Sequence, residues 1–351
     1  MTPLEALIKK RIAATGPITL AEYMAECLMH PEHGYYTSKD PLGAAGDFTT
    51  APEISQMFGE LLGLALAQAW MDRGAPAPFR LIELGPGRGS LMADLLRATA
   101  GVPGFHDAMR LHLVETSPAL RQRQAETVSR AFQHHDRLED VPDGPLFLIA
   151  NEFFDALPVR QFQRVEQGWR ERVLGLSDGR LSLGLSDPMP VLEDRLEDTK
   201  PGDIVETSPA AQAVAETIGA RIAEHGGIAL IIDYGDWRAL GDTLQAVRNH
   251  ETVDPLSTPG EADLTAHVDF EAIATAATPA QTTRLTPQGV LLERLGITAR
   301  AQALAQKLAG AALDSHIAAH RRLTHPQEMG TLFKAIALTQ KGSPVLPGFA
   351  P

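Results

Sequence analysis

Cysteine is almost absent from this chain of 351 residues, in which Cys27 stands alone. A single cysteine excludes a disulfide within the chain and any zinc or iron–sulfur site that needs several thiolates. The N-terminal segment also lacks an apolar run long enough for a secretory signal or a membrane anchor. Together these absences predict a cytoplasmic protein in a reducing compartment, without membrane insertion.

Positive charge is the second shortage. Lys and Arg number 31 against 44 Asp and Glu, which gives a formal net charge of -13. Because nucleic-acid binding depends on clustered basic side chains at the phosphates, this balance predicts no nucleic-acid partner. With 44% hydrophobic residues the chain can bury a large core, so it has the composition of an ordinary globular enzyme.

The beginning of the chain is rich in helix-start signals, and we predict an N-terminal helical extension over residues 1–75. Thr2 and Thr19 each stand three residues before a glutamate, which is the spacing of a helix-capping box. A third, long helix is expected to begin at Thr50, because Pro52 suits its first turn.

Strands and helices alternate from Phe79 onwards. Four short apolar runs have the composition of buried strands: FRLIEL, RLHLVE, LFLIA and IALIID. Such runs, separated by helices, predict a Rossmann-like α/β fold with a parallel sheet that is covered on both faces.

Residues 159–190 follow a different pattern. Apolar and polar residues alternate there around the Gln-Gly pair at Gln167 and the Asp-Gly pair at Asp178, which predicts inserted β-hairpins. We therefore predict one core domain over residues 76–351, with this insertion and with loop or helical additions over about 236–325.

The loop after the first apolar run is rich in glycine. ELGPGRGS places Gly85, Gly87 and Gly89 at alternate positions before a helical pattern. A dinucleotide fingerprint wants glycine or alanine where Ser90 stands, and a phosphate-binding P-loop needs a lysine that this loop lacks. Pro86 removes a backbone N–H where a pyrophosphate would want a donor. The loop thus favours a ligand without phosphate, and the alternative is a tight turn that binds nothing.

Glu115 ends the second apolar run, where a carboxylate can accept hydrogen bonds from both hydroxyls of a ribose. In enzymes that bind NAD a carboxylate has the same role, so Glu115 does not distinguish the two kinds of ligand. Alternatively, Glu115 binds no ligand and is a surface glutamate near a helix N-terminus. The hexapeptide VETSPA occurs around Glu115 and again around Glu206, so most of it is a helix-starting device. Only position in the fold can distinguish the two glutamates.

Asp136 lies in QHHDRLEDVP, between the runs RLHLVE and LFLIA, where we expect a further strand, the third in chain order. Proteins of this fold class contact adenine after that strand. The neighbouring His134 and His135 lack the spacing and the further ligands of a metal site, so we predict packing or solvated side chains and no metal.

The fourth strand leads into ANEFFDALP. Ligands of open α/β sheets meet at the carboxyl ends of the strands, so Asn151, Glu152 and Asp155 are candidates for contacts with a substrate. Carboxylates suit a positively charged acceptor such as a guanidinium. The alternative is that the acids only begin a helix or a turn.

Two loops carry weaker candidates. In GDFTTAPEIS we expect Asp47 to contact a ligand held by the glycine-rich loop, whereas Thr50 and Glu53 are more typical of helix capping. His267 in DLTAHVDF could orient a substrate, although a lone histidine is usually structural or solvated.

Several stretches together resemble one family, the MidA-like methyltransferases, which include a mitochondrial complex I assembly factor that methylates arginine. These stretches are GDFTTAPEISQMFGELLG, ELGPGRGSLMADLLR, VETSPALR, ANEFFDALPVRQF, IDYG, GDTLQAVRNH, GEADLTAHVDF and EMGTLFK. Residues Glu83, Gly85, Gly87, Gly89 and Glu115 match the motif with which class I methyltransferases hold S-adenosyl-L-methionine.

The resemblance implies a seven-stranded class I methyltransferase sheet with a helical extension. It implies S-adenosyl-L-methionine as the cofactor and arginine in a protein as the methyl acceptor, for which a respiratory complex I subunit is the expected partner. Two alternatives stay open: a methyltransferase that acts on a small molecule, and an assembly chaperone that binds the cofactor without essential catalysis.

Overall fold

The computed structural model describes residues 1–38 and 49–350 of the chain. In chain order, the helices are α1 Pro3–Thr15, α2 Leu20–Met29, α3 Tyr35–Ser38, α4 Ala51–Ile54, α5 Gln56–Asp72, α6 Ser90–Thr99, α7 Phe105–Ala108, α8 Pro118–Thr127, α9 Pro209–His225, α10 Phe270–Ala276, α11 Gln288–Arg294, α12 Ile297–Ala305, α13 Ala311–Thr324 and α14 Met329–Leu332.

The strands follow the same order along the chain. They are β1 Ile18–Thr19, β2 Phe79–Leu84, β3 Met109–Val114, β4 Gln133–His135, β5 Leu146–Asn151, β6 Arg160–Val165, β7 Gly168–Ser177, β8 Arg180–Met189, β9 Ile204–Thr207, β10 Gly227–Asp236, β11 Gln245–Arg248, β12 Glu251–Val253, β13 Asp263–Thr265, β14 Val268–Asp269, β15 Gln281–Thr282, β16 Thr286–Pro287 and β17 Phe333–Thr339.

Contacts group the chain into two compact units. The first unit comprises the described residues of the range 1–48 together with 155–212 and 236–272. The second unit comprises the described residues of the ranges 49–154, 213–235 and 273–351. The predicted domains over residues 1–75 and 76–351 stay a prediction.

The second unit is built on a sheet in the order β15-β17-β10-β5-β2-β3-β4. The neighbouring pairs from β10 to β4 are parallel, whereas β17 runs antiparallel to β10. All six residues of β5 are buried, as expected for a strand with helices on both faces. The seven strands along this path confirm the predicted Rossmann-like sheet, and off the path β16 pairs with β17. The carboxyl ends of the parallel strands lie at one edge of the sheet.

Aromatic side chains pack against this sheet. Phe79 on β2 lies with its ring centroid 5.1 Å from that of Phe105 and 5.1 Å from that of Phe147 on β5. Trp70 from α5 completes the group, with its centroid 5.8 Å from that of Phe79. Such tilted and edge-to-face pairs add to the stability that burial of apolar surface supplies.

The first unit carries the N-terminal helices and the inserted hairpins. Val165 of β6 pairs with Gly168 of β7, and Ser177 of β7 pairs with Arg180 of β8, so both predicted turns are present. At the second turn Asp178 and Gly179 have φ values of 48° and 72°, the left-handed pair that a two-residue hairpin loop needs. The predicted helical extension and hairpin insertion are confirmed.

The predicted long helix from Thr50 is wrong in one respect, because the structure divides it at Ser55. This residue is extended, with φ -160° and ψ 135°, and its hydroxyl accepts a hydrogen bond from the backbone N–H of Met57. Thr50 makes no capping bond with its side chain. The sequence therefore contains two helix starts, one for α4 and one for α5, and the prediction included only the first.

Helix α5 contacts α6 closely through two glycines. A Cβ atom on Gly63 would lie 2.7 Å from Leu95 Cγ and 2.9 Å from Leu95 Cα, and one on Gly59 would lie 2.8 Å from the Leu91 carbonyl oxygen. Because α6 begins directly after the glycine-rich loop, this contact helps to fix the loop.

We expect Gly63→Val to lower the free energy of unfolding by about 1–3 kcal/mol, since the added methyl groups overpack the contact with α6. Urea unfolding monitored by circular dichroism measures the change. Leu64→Val is the matched control, because Leu64 is 44% exposed on the same helix and acquires the same β-branched side chain. Equal losses in the two variants would contradict a close contact at Gly63.

Within the described residues, no helix combines the length and the apolar character that a membrane crossing requires.

Candidate functional site

The glycine-rich loop joins β2 to α6 at the carboxyl edge of the sheet. Gly85, Gly87 and Gly89 have φ values of 60°, 52° and 85°, a left-handed conformation that side chains with a Cβ rarely adopt. A Cβ on Gly85 would also lie 2.9 Å from Phe153 Cδ2. The loop therefore needs glycine both for its backbone conformation and for the space beside Phe153.

Glu83 precedes this loop on β2 and is only 3% exposed. Its Oε2 atom is buried and has no hydrogen-bond partner among the described residues. Burial, with a smaller contribution from the negative charge of Glu115, raises the pKa of Glu83 to about 8. Glu83 thus presents a buried acceptor or donor that a ligand could satisfy.

Glu115 follows β3 and is held by two hydrogen bonds. Its Oε1 accepts from the backbone N–H of Ser117 at 2.8 Å, and its Oε2 accepts from Gln124 Nε2 at 3.3 Å. Gln124 Nε2 also donates to the carbonyl oxygen of Gly87 at 2.7 Å. Burial raises the pKa of Glu115 above its usual range.

Gln124 therefore links the carboxylate of Glu115 to the glycine-rich loop, a role that the sequence did not predict. It is a fully buried glutamine in the middle of α8, and its Oε1 lies 2.7 Å from His134 Nε2. No local pattern distinguishes it from the other polar residues of that helix.

Asp136 follows β4 directly, as predicted, and its side chain is 73% exposed. Its Oδ1 accepts from Arg121 Nη2 at 2.7 Å. His135 Nε2 lies 3.0 Å from Nδ1 of the buried His112 on the neighbouring strand. Among the described residues, no group of three or more His, Cys, Asp or Glu side chains could hold a metal ion.

Asn151 ends β5, and Glu152 follows it at the edge of the sheet. Glu152 has φ 52°, which is unusual for a residue other than glycine and is often found at functional sites. Its Oε1 accepts from the backbone N–H of Ala51 at 3.1 Å and from Asn151 Nδ2 at 3.0 Å. The buried Oδ1 of Asn151 has no hydrogen-bond partner among the described residues.

Asp233 is a further residue that the sequence did not single out. It is fully buried on β10, where its Oδ2 accepts from the backbone N–H of Phe154 at 3.0 Å and its Oδ1 from that of Tyr234 at 2.9 Å. These bonds hold the turn that follows Glu152. Asp233 lies in IDYG, one of the stretches that resemble the MidA-like methyltransferases. The sequence alone does not show which backbone N–H groups its carboxylate contacts.

The remaining candidate residues belong to different units or lie outside the described residues. Asp155 belongs to the first unit, is 6% exposed, and its carbonyl oxygen accepts from the backbone N–H of Ala266 at 3.0 Å. The backbone N–H of His267 donates to Thr243 Oγ1 at 2.8 Å. Glu53 accepts a hydrogen bond from Ser90 Oγ at 2.5 Å, which ties α4 to the start of α6. Asp47 lies outside the described residues.

The second unit fits a ligand that carries positive charge and hydroxyl groups. Buried carboxylates at Glu83 and Glu115 and the unpartnered Oδ1 of Asn151 are hydrogen-bond acceptors, which suit an amino group and a ribose. A sulfonium or an ammonium group would favour the ionised form of these buried carboxyl groups, whereas a phosphate would disfavour it. These features match S-adenosyl-L-methionine, which has no phosphate.

Comparisons with known proteins agree with this chemistry. A family model described as "Putative S-adenosyl-L-methionine-dependent methyltransferase" matches residues 61–289, more than half of the chain. The chain therefore belongs to this family of methyltransferases, and the resemblance to MidA-like enzymes is confirmed.

Individual relatives are similar over nearly the whole chain. "Protein arginine methyltransferase NDUFAF7, mitochondrial" from Danio rerio is 38% identical over 93% of this chain and 84% of its own length. The protein of the same name from Homo sapiens is 36% identical over 96% of this chain and 83% of its own length. The crystal structure of a likely methyl transferase from Burkholderia thailandensis, bound to S-adenosyl-homocysteine, matches this chain with a TM-score of 0.83. The two sequences are 29% identical, and the match covers 98% of this chain and 94% of that one.

The prediction of a cytoplasmic location is wrong by this comparison, because the relatives are named as mitochondrial proteins. The single cysteine excludes a disulfide but does not distinguish one compartment from another. Composition and charge therefore could not support the location that was inferred from them.

The raised pKa of Glu83 predicts a pH dependence of stability in the cofactor-free protein. The unfolded chain releases this proton near the ordinary pKa of 4.5, whereas the folded protein keeps it up to about pH 8. The contribution of Glu83 to stability is therefore complete below the lower value and is lost as the pH rises to the upper one. The largest slope for one group is about 1.4 kcal/mol per pH unit.

Urea unfolding of wild type and Glu83→Gln across this pH range checks the sign. Wild type should lose stability relative to the variant as the pH rises, and the difference should level off above about pH 8. Parallel curves would show that Glu83 ionises at the same pH in the folded and unfolded states.

Proposed function

We propose that the chain transfers a methyl group from S-adenosyl-L-methionine to a guanidinium nitrogen of an arginine in a protein partner. The names of the relatives support the choice of arginine, since these proteins are called protein arginine methyltransferases and the match covers 84% and 83% of their own length. A subunit of a respiratory complex I is the partner that the resemblance to MidA-like enzymes favours.

The observation that carries this proposal is the position of Glu152. It stands at the carboxyl end of β5 in a left-handed conformation, and two hydrogen bonds to its Oε1 fix its direction. A fixed carboxylate can accept N–H hydrogen bonds from a guanidinium and hold it in one orientation. Asn151 supports this carboxylate and offers its own Oδ1.

For the cofactor we propose contacts within the second unit. The loop of Gly85, Gly87 and Gly89 would lie against its amino-acid and ribose parts, and Glu115 would accept the ribose hydroxyls. Glu83 would accept from the amino group, and Asp136 from the amino group of adenine. When bound, the cofactor supplies an electrophilic methyl group on a positively charged sulfur.

The residues of the chain then have to orient the acceptor. A guanidinium stays protonated far above neutral pH, so Glu152 would align and polarise its nitrogen rather than deprotonate it in advance. Orientation of the two reacting groups supplies a large part of the acceleration in such a displacement. The predicted role of Asp155, which belongs to the first unit, stays a prediction.

The proposal is tested with methyl-labelled S-adenosyl-L-methionine and a lysate from cells that lack this protein. After incubation with the purified protein, acid precipitation separates proteins from small molecules. We expect more label in the precipitated proteins than in the same lysate without the purified protein, which reports the lysate's own methyltransferases. Label that stays in the soluble small-molecule fraction would instead support a small-molecule methyltransferase.

A further inference from the structure

Helix α4 has four residues, too few to be stable without contacts from the rest of the protein. Its first residue, Ala51, is fully buried in the core of the second unit. The extended Ser55 separates α4 from α5, and the Thr50 side chain makes no capping bond at its start. The position of α4 therefore depends on the side chains that bind it from neighbouring elements.

Two hydrogen bonds join α4 to two parts of the candidate site. The backbone N–H of Ala51 donates to Glu152 Oε1 at 3.1 Å. Two residues further along the same turn, Glu53 Oε1 accepts from Ser90 Oγ at 2.5 Å. Ser90 is the first residue of α6, directly after Gly89 of the glycine-rich loop, and all five residues belong to the second unit. Helix α4 thus connects the glycine-rich loop with the carboxylate at the end of β5.

The identity of residue 90 agrees with this connection. Ser90 stands where a dinucleotide fingerprint wants glycine or alanine. Gly89 is the N-cap of α6, so the serine hydroxyl is not required for capping. It donates instead to a carboxylate, and such bonds are stronger than those between neutral groups. Ser90 and Glu53 therefore form a pair, although 37 positions separate them in the chain.

We propose that Glu53 and Ser90 are positioning residues for methyl transfer, an inference that rests on the proposed function. Their hydrogen bond fixes α4 against α6, and α4 then places the Ala51 N–H at the Glu152 carboxylate. An oxygen held by a fixed N–H keeps the carboxylate in one direction, which orientation of a guanidinium requires. Glu53 and Ser90 act through Glu152 and need no contact with the methyl acceptor.

The alternative is a hydrogen bond that only stabilises the fold. Its loss would then lower the free energy of unfolding and leave the rate of the folded protein unchanged. If the bond positions Glu152, its loss slows methyl transfer in a protein that is still folded. A misplacement of about 1 Å at a reacting centre can cost about 100-fold in rate, so the two cases are well separated.

Amide hydrogen exchange at Ala51 tests the arrangement without cofactor or acceptor. Its N–H is protected by the bond to Glu152, and NMR of the full chain measures the exchange. Exchange should be at least about tenfold faster in Glu53→Ala and in Ser90→Ala than in wild type. Glu53→Gln keeps an oxygen that accepts from the Ser90 hydroxyl, so exchange should stay within about threefold of wild type. Wild-type exchange in both alanine variants would overturn the proposal.

The rate of label transfer from methyl-labelled S-adenosyl-L-methionine to lysate proteins tests the consequence. Glu53→Ala and Ser90→Ala should each slow the transfer at least about tenfold, and Glu53→Gln should restore most of the rate. The affinity for S-adenosyl-homocysteine, which also reports correct folding, should stay within about threefold of wild type. Glu216→Ala is the matched control, because Glu216 is exposed on α9.

A variant that carries both Glu53→Ala and Ser90→Ala sharpens this test. It should be no slower than the slower of the two single variants, since both changes break the same bond. Losses that multiply in the double variant, or a loss of S-adenosyl-homocysteine binding in proportion to the loss of rate, would overturn the positioning role.

The two proposals fail in different ways. A wild-type protein that transfers no label contradicts the proposed function, and exchange at Ala51 still decides whether the bond between Ser90 and Glu53 fixes α4. A wild-type protein that labels arginine, with the same rate in both alanine variants, contradicts only the positioning role of Glu53 and Ser90.

Discussion

Glu152→Gln should lower kcat by about 100-fold or more, the effect expected when a positioned charged group at the reacting centre is lost. Glutamine keeps an oxygen that can accept from the backbone N–H of Ala51, so the local fold is retained while the negative charge is removed. The affinity for S-adenosyl-homocysteine should not change, because we assign Glu152 to the acceptor. Methyl-transfer rates and calorimetric titrations of the same preparation measure both quantities.

Glu216→Gln is a suitable control for this experiment. Glu216 is exposed on α9 and undergoes the same chemical change away from the edge of the sheet. A Glu152→Gln protein that retains the wild-type rate would contradict the role of Glu152. Equal losses in both variants would show a general effect of charge.

Glu115→Ala should weaken binding of S-adenosyl-homocysteine by about 100-fold or more, since two hydrogen bonds from ribose hydroxyls to a buried carboxylate would be lost. The bonds from Ser117 and Gln124 hold this carboxylate in place, so little has to be ordered when a ligand binds. Isothermal titration calorimetry gives the dissociation constant directly.

The repeated hexapeptide VETSPA offers a control from within the chain. Glu206 occupies the same place in the second copy and is also buried, where its carboxylate accepts from the backbone N–H of Thr243 at 3.1 Å and from Gln161 Nε2 at 2.6 Å. Glu206→Ala should destabilise the protein and leave the affinity of the folded protein for S-adenosyl-homocysteine unchanged. If Glu115→Ala binds as tightly as wild type, the ribose contact is wrong.

The sequence predicted those features that depend on local chemistry. Left-handed glycines after an apolar strand, Asp-Gly at a hairpin turn and a capping box at Thr19 each leave a short pattern that can be read without the fold. Glu115 and Glu152 were found for a related reason, since each directly follows a predicted strand whose carboxyl end faces the ligand edge.

Features that depend on distant residues were missed. Gln124 reaches the Gly87 carbonyl oxygen, and Tyr36 reaches Asp263, across 37 and 227 positions of the chain respectively. Neither pair has a pattern in the sequence, because packing decides which polar side chains meet. The division at Ser55 was missed because a long apolar face continues on both sides of it.

Mass spectrometry of the methylated proteins tests the central claim most directly. Lysate proteins labelled by the purified enzyme are hydrolysed to amino acids, and the amino acid that carries the label is identified. The account predicts labelled methylarginine with wild-type protein and a loss of about 100-fold or more with Glu152→Gln. Label on lysine or another residue, or the same methylarginine yield from both proteins, would contradict it.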